Sequence, residues 1–225
     1  MSSRTPGAVA VVGAALVSGC SFGTFQTAHT QAPATVSVTP GATYVSNAID
    51  DQQGRGPLTN AGAQLGARVG ITEHVDAGVG SFLLSGLKAD VKVNVLGPHQ
   101  NFAIAPRFGA GGRLGREIWM LEGGAIASYL LFERFEPYLG LTFANHWIEP
   151  DPPLGPLPPN VVGKSGTGDG LLQLSLGVEL VATRHFAVLA EYGHWFVLHD
   201  DPGDFYRFLA TNVVGVAMRF GRVRR

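Results

Sequence analysis

The stretch LATNVVGVAMRFGR, residues 209–222, predicts the fold through its alternation. From Ala210 to Phe220 every second residue is apolar except Asn212, while the residues between them are mostly small and include Arg219. Successive side chains of a strand point to opposite faces, so a period of two indicates a strand and not a helix. This strand therefore has one apolar face and one small face that carries a charge.

Nine segments upstream share this alternation, which predicts an all-β fold of about ten strands. The eighth segment is the clearest, because apolar residues from Leu172 to Leu180 alternate strictly with small or polar ones. The predicted strands span roughly residues 34–47, 60–72, 75–84, 87–96, 101–111, 117–132, 135–147, 169–183, 186–198 and 207–221.

The lengths of the links between these strands add a second regularity. The links after strands two, four, six and eight are short, and four of the other five are longer, the exception being the link at Ser85-Gly86. Short turns at one end and longer loops at the other are typical of an outer-membrane barrel with an even strand count. Such a barrel has both termini on the periplasmic side, and 225 residues is an ordinary length for a single barrel.

The composition limits the classes of function. Charged residues make up 15% of the chain, against about 25% in typical soluble domains. The formal net charge of −1 gives no electrostatic footprint for nucleic acid, so no nucleic-acid partner is predicted. No window approaches the roughly 20 consecutive apolar residues of a spanning helix. If the chain lies in a membrane, it does so as strands.

The two faces of the strands assign a lumen to the predicted barrel. A closed transmembrane barrel turns its apolar residues to lipid and its polar residues inward, and closure pairs every backbone group. Opposite charges inside are expected to pair, because an unpaired buried charge is strongly destabilising. The predicted interior polar network comprises Gln64, Arg68, Asp90, Lys92, Arg107, Glu122, Gln173, Glu179, Glu191 and Arg219.

Aromatic residues fall at the two ends of the predicted strands. Two aromatic girdles are typical of the two membrane interfaces. The predicted interface aromatics are Trp119 and Trp147 at the loop ends, and Phe102, Phe135, Phe186 and Phe220 at the turn ends. Placing Glu191 inside the barrel brings Trp195 inside as well. Two prolines, Pro40 and Pro106, are predicted to cause breaks or bulges because they cannot donate to the ladder.

The N terminus has the features of an export signal. Arg4 precedes an apolar run from Gly7 to Val17, which is too short to span a membrane. The following Val17-Ser18-Gly19-Cys20 resembles the lipobox of bacterial lipoproteins, and the alternative is an ordinary signal peptide with an incidental Cys.

With these strands and link lengths, the chain resembles a small outer-membrane β-barrel lipoprotein of a Gram-negative bacterium. The resemblance implies a signal peptide over residues 1–19, acylation of Cys20 as the lipid attachment, and anchoring in the outer membrane. Residues 20–33 lack an apolar period and are predicted to be a flexible tether, followed by the barrel over residues 34–225.

Chemistry-bearing motifs are weak. Gly163-Lys164-Ser165 lacks the first glycine and the strand-to-helix context of a phosphate loop. The seven His residues form no metal-ligand cluster in sequence. We therefore predict no catalytic residue, metal or cofactor. The proline-rich loop over residues 149–168 is the best candidate for contacting a surface partner.

The sequence predicts a structural, narrow-pore or surface-interaction role for a barrel with a charge-paired interior. Two alternatives stay open. A lipid-anchored soluble periplasmic ligand-binding barrel would turn the Leu172–Leu180 face inward around an apolar cavity. An outer-membrane lipid-modifying enzyme would place a His beside a Ser and a carboxylate at one rim.

Overall fold

The computed structural model describes residues 24–47, 59–82, 86–113, 118–148, 170–197 and 211–221. The described residues form ten strands whose bounds differ from the predicted ones by a few residues. They are β1 (Val36–Asn47), β2 (Thr59–Gly70), β3 (Val75–Phe82), β4 (Gly86–Val93), β5 (Phe102–Arg113), β6 (Ile118–Tyr129), β7 (Phe135–Ile148), β8 (Gly170–Thr183), β9 (Phe186–Val197) and β10 (Thr211–Gly221).

The ten strands form one closed antiparallel barrel. Each strand pairs with its neighbours in sequence, and β1 closes the barrel against β10, with Tyr44 opposite Val214. Closure leaves no sheet edge, so the backbone groups of the strands pair with one another. The predicted ten-stranded closed barrel is confirmed.

The links that join β2 to β3, β4 to β5, β6 to β7 and β8 to β9 lie at one end of the barrel, which we call the turn-side mouth. The turn between β6 and β7 holds Phe132 and Glu133 in the left-handed backbone region, with φ of 52° and 58°. The links at the opposite end, the loop side, lie outside the described residues. Three of them are long, whereas those at residues 83–85 and 114–117 are as short as the turns, so the link predicted to be longer after the fifth strand is not.

Each proline interrupts the ladder on one side of its strand, as predicted, but causes no bulge: the pairing of β5 with β4 ends at Arg107, beside Pro106. Pro106 pairs opposite Ala125 without a change of register, and Pro40 pairs opposite Leu65. The pairing of β1 with β10 lapses only between Val38 and Gly41 and resumes in the same register. The missing proline N–H is therefore absorbed without an inserted residue. The only register shift recorded for the described strands falls at Val181 and Thr183.

The polarity of the barrel is inverted relative to a soluble protein. Leu174, Leu176 and Leu180 point outward, with 43%, 59% and 52% of their surfaces exposed. Every Asp, Glu, Lys and Arg of the strands whose side chain is described is buried inside. This is the architecture of a transmembrane β-barrel. It is opposite to the soluble ligand-binding alternative, which needs these leucines inside.

The aromatic residues divide between the outer surface and the lumen. Trp119 is 64% exposed on the outside, and Phe102, Phe135 and Phe220 are also exposed. The ring of Phe186 packs 5.3 Å from that of Phe220, between centroids. Trp195 is 6% exposed and faces inward. The side chain of Trp147 lies outside the described residues.

No helix among the described residues is long and apolar enough to cross a membrane.

Candidate functional site: the barrel lumen

A first group of charges lines the lumen across β2, β3 and β4. The Arg68 guanidinium forms ion pairs with both Asp76 and Asp90, and Lys92 Nζ lies 3.4 Å from Asp76 Oδ2. Arg68 and Asp90 both lie opposite Gly78, one on each side. A side chain at Gly78 would overlap the guanidinium, so this glycine lets Arg68 reach across β3.

A second group joins β4, β5, β6 and β7. Lys88 Nζ lies 2.7 Å from Glu122 Oε1, and Arg107 Nη2 lies 3.3 Å from the same oxygen. Arg107 also donates to Thr142 Oγ1 at 3.0 Å. These groups are buried, so their mutual attraction is screened little by solvent.

A third pair spans β8 and β10. Arg219 Nη1 lies 3.0 and 2.9 Å from the two carboxylate oxygens of Glu179. Gln173 is buried on the same wall, and Gln64 is partly buried near β3. All ten residues of the predicted interior network thus lie on the lumen side of the barrel.

Among the described residues, three further charged side chains of the lumen were missed from the sequence: Asp76, Lys88 and Glu136. Lys88 shares the alternation of Asp90 and Lys92 on β4, so the period of two could have found it. Asp76 and Glu136 are the second residues of β3 and β7. Because both residues lie next to turns, the alternation in the sequence did not show which face of the sheet they occupy.

Residues 24–33, which we call the lumenal segment, lie inside the barrel. The segment runs from the middle of the lumen to the turn-side mouth, where Thr35 N donates to Ala32 O at 3.1 Å and Ala34 N donates to Gly70 O at 2.9 Å. Ala34 adopts a left-handed φ of 57° where the chain turns into β1. The predicted flexible tether over residues 20–33 is therefore wrong for its described part. Residues 20–23, and with them Cys20, lie outside the described residues.

Glu191 holds the inner end of the lumenal segment. Its carboxylate accepts hydrogen bonds from Thr24 N at 2.6 Å, from Phe25 N at 2.8 Å and from the Thr24 hydroxyl. Tyr138 donates to the same carboxylate at 2.8 Å. The Phe25 carbonyl accepts a hydrogen bond from Arg219 Nη2 at 3.1 Å. The carboxylate is thus stabilised by the backbone of the segment and by two hydroxyl groups, and no basic side chain of the described residues pairs with it.

The segment packs against apolar residues of the wall, both small and large. Phe25 packs with Leu189 and Ala217, and its ring occupies the space that a side chain at Gly215 would fill. Ala28 packs in a second apolar group. The wall members of that group are Ala103, Ala105, Ile126 and Tyr138. The apolar residues of the wall and the space at Gly215 therefore accommodate the side chains of Phe25 and Ala28.

Further polar contacts join the segment to charged side chains of β3 and β4. Lys92 Nζ donates to the carbonyls of Thr27 and His29 at 2.7 and 2.8 Å. Gln31 N donates to Asp76 Oδ2 at 3.0 Å, and Gln26 Nε2 donates to Asp90 Oδ2 at 3.3 Å. The segment and the wall charges therefore form one network.

Ser128, Glu136 and His29 meet near the turn-side mouth. Ser128 Oγ donates to Glu136 Oε1 at 2.6 Å, and His29 Nδ1 lies 2.6 Å from the same oxygen. His29 Nε2 lies 2.9 Å from the carbonyl of Gln100, so this nitrogen carries a hydrogen. The imidazole of His29 and the carboxylate of Glu136 form an ion pair when His29 is protonated.

This trio does not have the geometry of a hydrolytic triad. In a triad the serine donates to the histidine, which is oriented by the acid. Here Ser128 Oγ donates a hydrogen bond to the carboxylate of Glu136, and His29 contacts the same carboxylate through Nδ1 and the Gln100 carbonyl through Nε2. The arrangement stabilises the lumenal segment. Among the described residues, no group of three or more His, Cys, Asp or Glu side chains could hold a metal ion.

Two cavities lie on either side of the lumenal segment. A cavity of about 540 Å³ opens at the turn-side mouth, where His29, Arg134 and Glu179 are among its lining residues. A cavity of about 70 Å³ lies deeper, lined by Thr24, Phe25, Gln26 and the charges of β2 and β4. Arg219 lines both. The inner half of the segment therefore separates them.

Comparisons with known proteins give fold likeness alone. No family model matches the chain, and no curated protein matches it. Neisserial surface protein A is 12% identical, with a TM-score of 0.41, and the match covers 82% of this chain and 96% of that one. An outer-membrane channel from Pseudomonas putida F1 is 8% identical, with a TM-score of 0.45, over 86% of this chain and 97% of that one. The outer membrane protease OmpT from Escherichia coli is 10% identical, with a TM-score of 0.42, over 84% and 95%.

At these identities and TM-scores, the likenesses carry no argument about activity.

Proposed function

We propose that this chain is an outer-membrane β-barrel lipoprotein with a closed lumen, and that it has a structural or surface-interaction role and is no general diffusion pore. The apolar outer surface supports insertion in a bilayer. The observation that carries the closed lumen is the lumenal segment, which is hydrogen-bonded to Glu191, Asp90, Asp76 and Lys92. A segment held by charges on several strands leaves no wide water-filled path beside it.

Recording from the purified chain in planar bilayers tests the closed lumen. Proper folding is first checked by the shift in gel mobility between unheated and boiled samples. We expect no large and steady conductance in potassium chloride, and no swelling of vesicles that hold the protein in a sugar gradient. A large steady conductance of the folded chain would refute the closed barrel.

The lipid anchor is a separate part of the proposal, supported by Val17-Ser18-Gly19-Cys20. Cells that express the chain are expected to incorporate labelled palmitate, and the Cys20→Ala variant is expected to lose the label while staying in the membrane fraction. Failure of the full chain to take up palmitate would remove the anchor and leave the barrel unaffected.

The proline-rich loop over residues 149–168 lies outside the described residues and stays our proposal for a contact with a surface partner. The short turns at the opposite end support an outward position of this loop. An epitope tag inserted there is expected to bind antibody on intact cells, with a tag after Gly221 as the inaccessible control. Protection of the loop tag on intact cells would contradict the proposed orientation.

A further inference from the structure

The lumenal segment is the barrier between two spaces that would otherwise join. Thr24, Phe25 and Gln26 line the deeper cavity, and Thr27 and the residues that follow line the one at the mouth. Arg219 borders both. Without the segment, the cavity at the mouth would therefore continue into the deeper one.

The wall itself does not fill this space. Ala103, Ala105 and Ala217 face the segment with the smallest apolar side chains, and Gly215 has none. Eight strands already enclose a lumen that side chains can just fill, and ten enclose more. Filling the centre of this barrel therefore depends on the segment.

Among the described side chains, the buried charges of the wall do not balance without the segment. They are six acids and five bases. The acids are Asp76, Asp90, Glu122, Glu136, Glu179 and Glu191, and the bases are Arg68, Lys88, Lys92, Arg107 and Arg219. His29, whose Nδ1 lies 2.6 Å from Glu136 Oε1, adds a positive charge from the segment when it is protonated. Glu191 would keep only the Tyr138 hydroxyl among its present hydrogen-bond donors.

We propose that the lumenal segment is a displaceable plug, and that the path it closes prefers cations. This inference rests on the proposed closed barrel and adds that displacement of the segment opens a path for cations. When the segment leaves, the two cavities join, and Glu191 is exposed beside the path as an acid with no basic partner. A lumen with an excess of acid attracts cations and repels anions.

The first experiment compares the intact chain with a chain from which residues 24–33 are deleted. Both are checked for folding by gel mobility and recorded in planar bilayers under a potassium chloride gradient. The deletion is expected to give a steady conductance with a reversal potential shifted towards that of potassium. A synthetic peptide with the sequence of residues 24–33, added at the turn-side mouth, is expected to close it, whereas a scrambled peptide is not.

The outcomes separate the two proposals. Steady conductance of the intact chain would refute the closed barrel. A closed intact chain together with a folded deletion variant that does not conduct would refute the plug alone. An anion-directed reversal potential would refute the cation preference. Changing Glu191 to Gln in the deletion background is expected to reduce the shift towards potassium, and an unchanged shift would refute the role of this acid.

A full-length variant keeps the plug testable if the deletion does not fold. Ala28→Cys and Ser128→Cys are combined with Cys20→Ser, because Ala28 N lies 3.1 Å from Ser128 Oγ. Glu191→Gln is added to weaken the hold on the segment. The reduced protein is expected to open repeatedly, and the oxidised protein of the same preparation, with the segment cross-linked to β6, is expected to stay closed. Equal conductance in both redox states would refute the plug.

Discussion

Glu191→Gln should loosen the lumenal segment without removing any side-chain volume. The carboxylate accepts two backbone N–H groups, the Thr24 hydroxyl and the Tyr138 hydroxyl. A glutamine has one acceptor oxygen, and its NH₂ group must face at least one of these donors. A hydrogen bond to a charged group contributes about 1.5–3 kcal/mol. Glu191→Gln removes one of these hydrogen bonds and takes the charge from the acceptor of the others. It should therefore weaken the binding of the segment to the wall by about 2–3 kcal/mol.

This weakening can be read as a rate of thiol labelling. Ala28 is fully buried, and Ala28→Cys in a Cys20→Ser background carries the only thiol of the chain. When opening is fast relative to labelling, the rate follows the open population. A change of about 2–3 kcal/mol then corresponds to a roughly 30- to 150-fold faster reaction with a maleimide. The measurement uses folded protein in vesicles.

Glu122→Gln is the matched control. Glu122 is buried in the lumen like Glu191, and its charged contacts are Lys88 and Arg107 of the wall. It should lower the stability of the barrel and leave the labelling of residue 28 within about threefold of the reference, well below the ~30-fold expected for Glu191→Gln. Equal labelling rates in both variants, fast or slow, would refute the assignment of Glu191 as the anchor of the segment.

Three further tests concern an ion pair of the lumen, the outer face of the barrel and the packing of Phe25. Urea unfolding should show that Glu179→Leu or Arg219→Leu alone destabilises the barrel by about 3–5 kcal/mol, because each leaves a buried charge without its partner. The double variant should lose less. Equal losses in the two single variants and the double variant would contradict the pairing. Leu176→Arg on the outer face should cost about 2–4 kcal/mol in vesicles, and no loss would mean that this face does not meet lipid. Gly215→Ala places a methyl group in the space of the Phe25 ring, so it should weaken the binding of the lumenal segment by about 1–3 kcal/mol. The thiol at residue 28 should then react faster with the maleimide. An unchanged rate would contradict the packing of Phe25 against Gly215.

The architecture was predictable because a strand fixes the face of each side chain. The alternation in β8 and β10 therefore assigned Leu174 and Leu176 to the outside and Glu179 and Arg219 to the inside, where the structure has them. Which acid meets which base was not predictable, because it depends on how the strands are staggered. Arg68 reaches Asp90 only because both lie opposite Gly78 of the strand between them.

The lumenal segment was missed because it is neither strand nor helix. Its hydrogen bonds go mostly to side chains of the wall, so it carries no period of its own, and a stretch without a period was interpreted as a tether. Its contacts also join residues far apart in the chain, such as Thr24 and Glu191, which are 167 positions apart. Local sequence patterns contain no trace of such a contact.

The sequence did contain an indirect sign of an occupant. A water-filled lumen is lined by polar side chains, and a lumen filled by its own wall is lined by large ones. Four inward positions of β5 and β10 are neither, because Ala103, Ala105, Gly215 and Ala217 are small and apolar or have no side chain at all. Such a surface loses free energy facing water and leaves voids if it faces nothing, so it requires apolar chain to pack against it. Small apolar residues on the lumen face of a wide barrel thus predict a segment inside it, even where that segment has no pattern of its own.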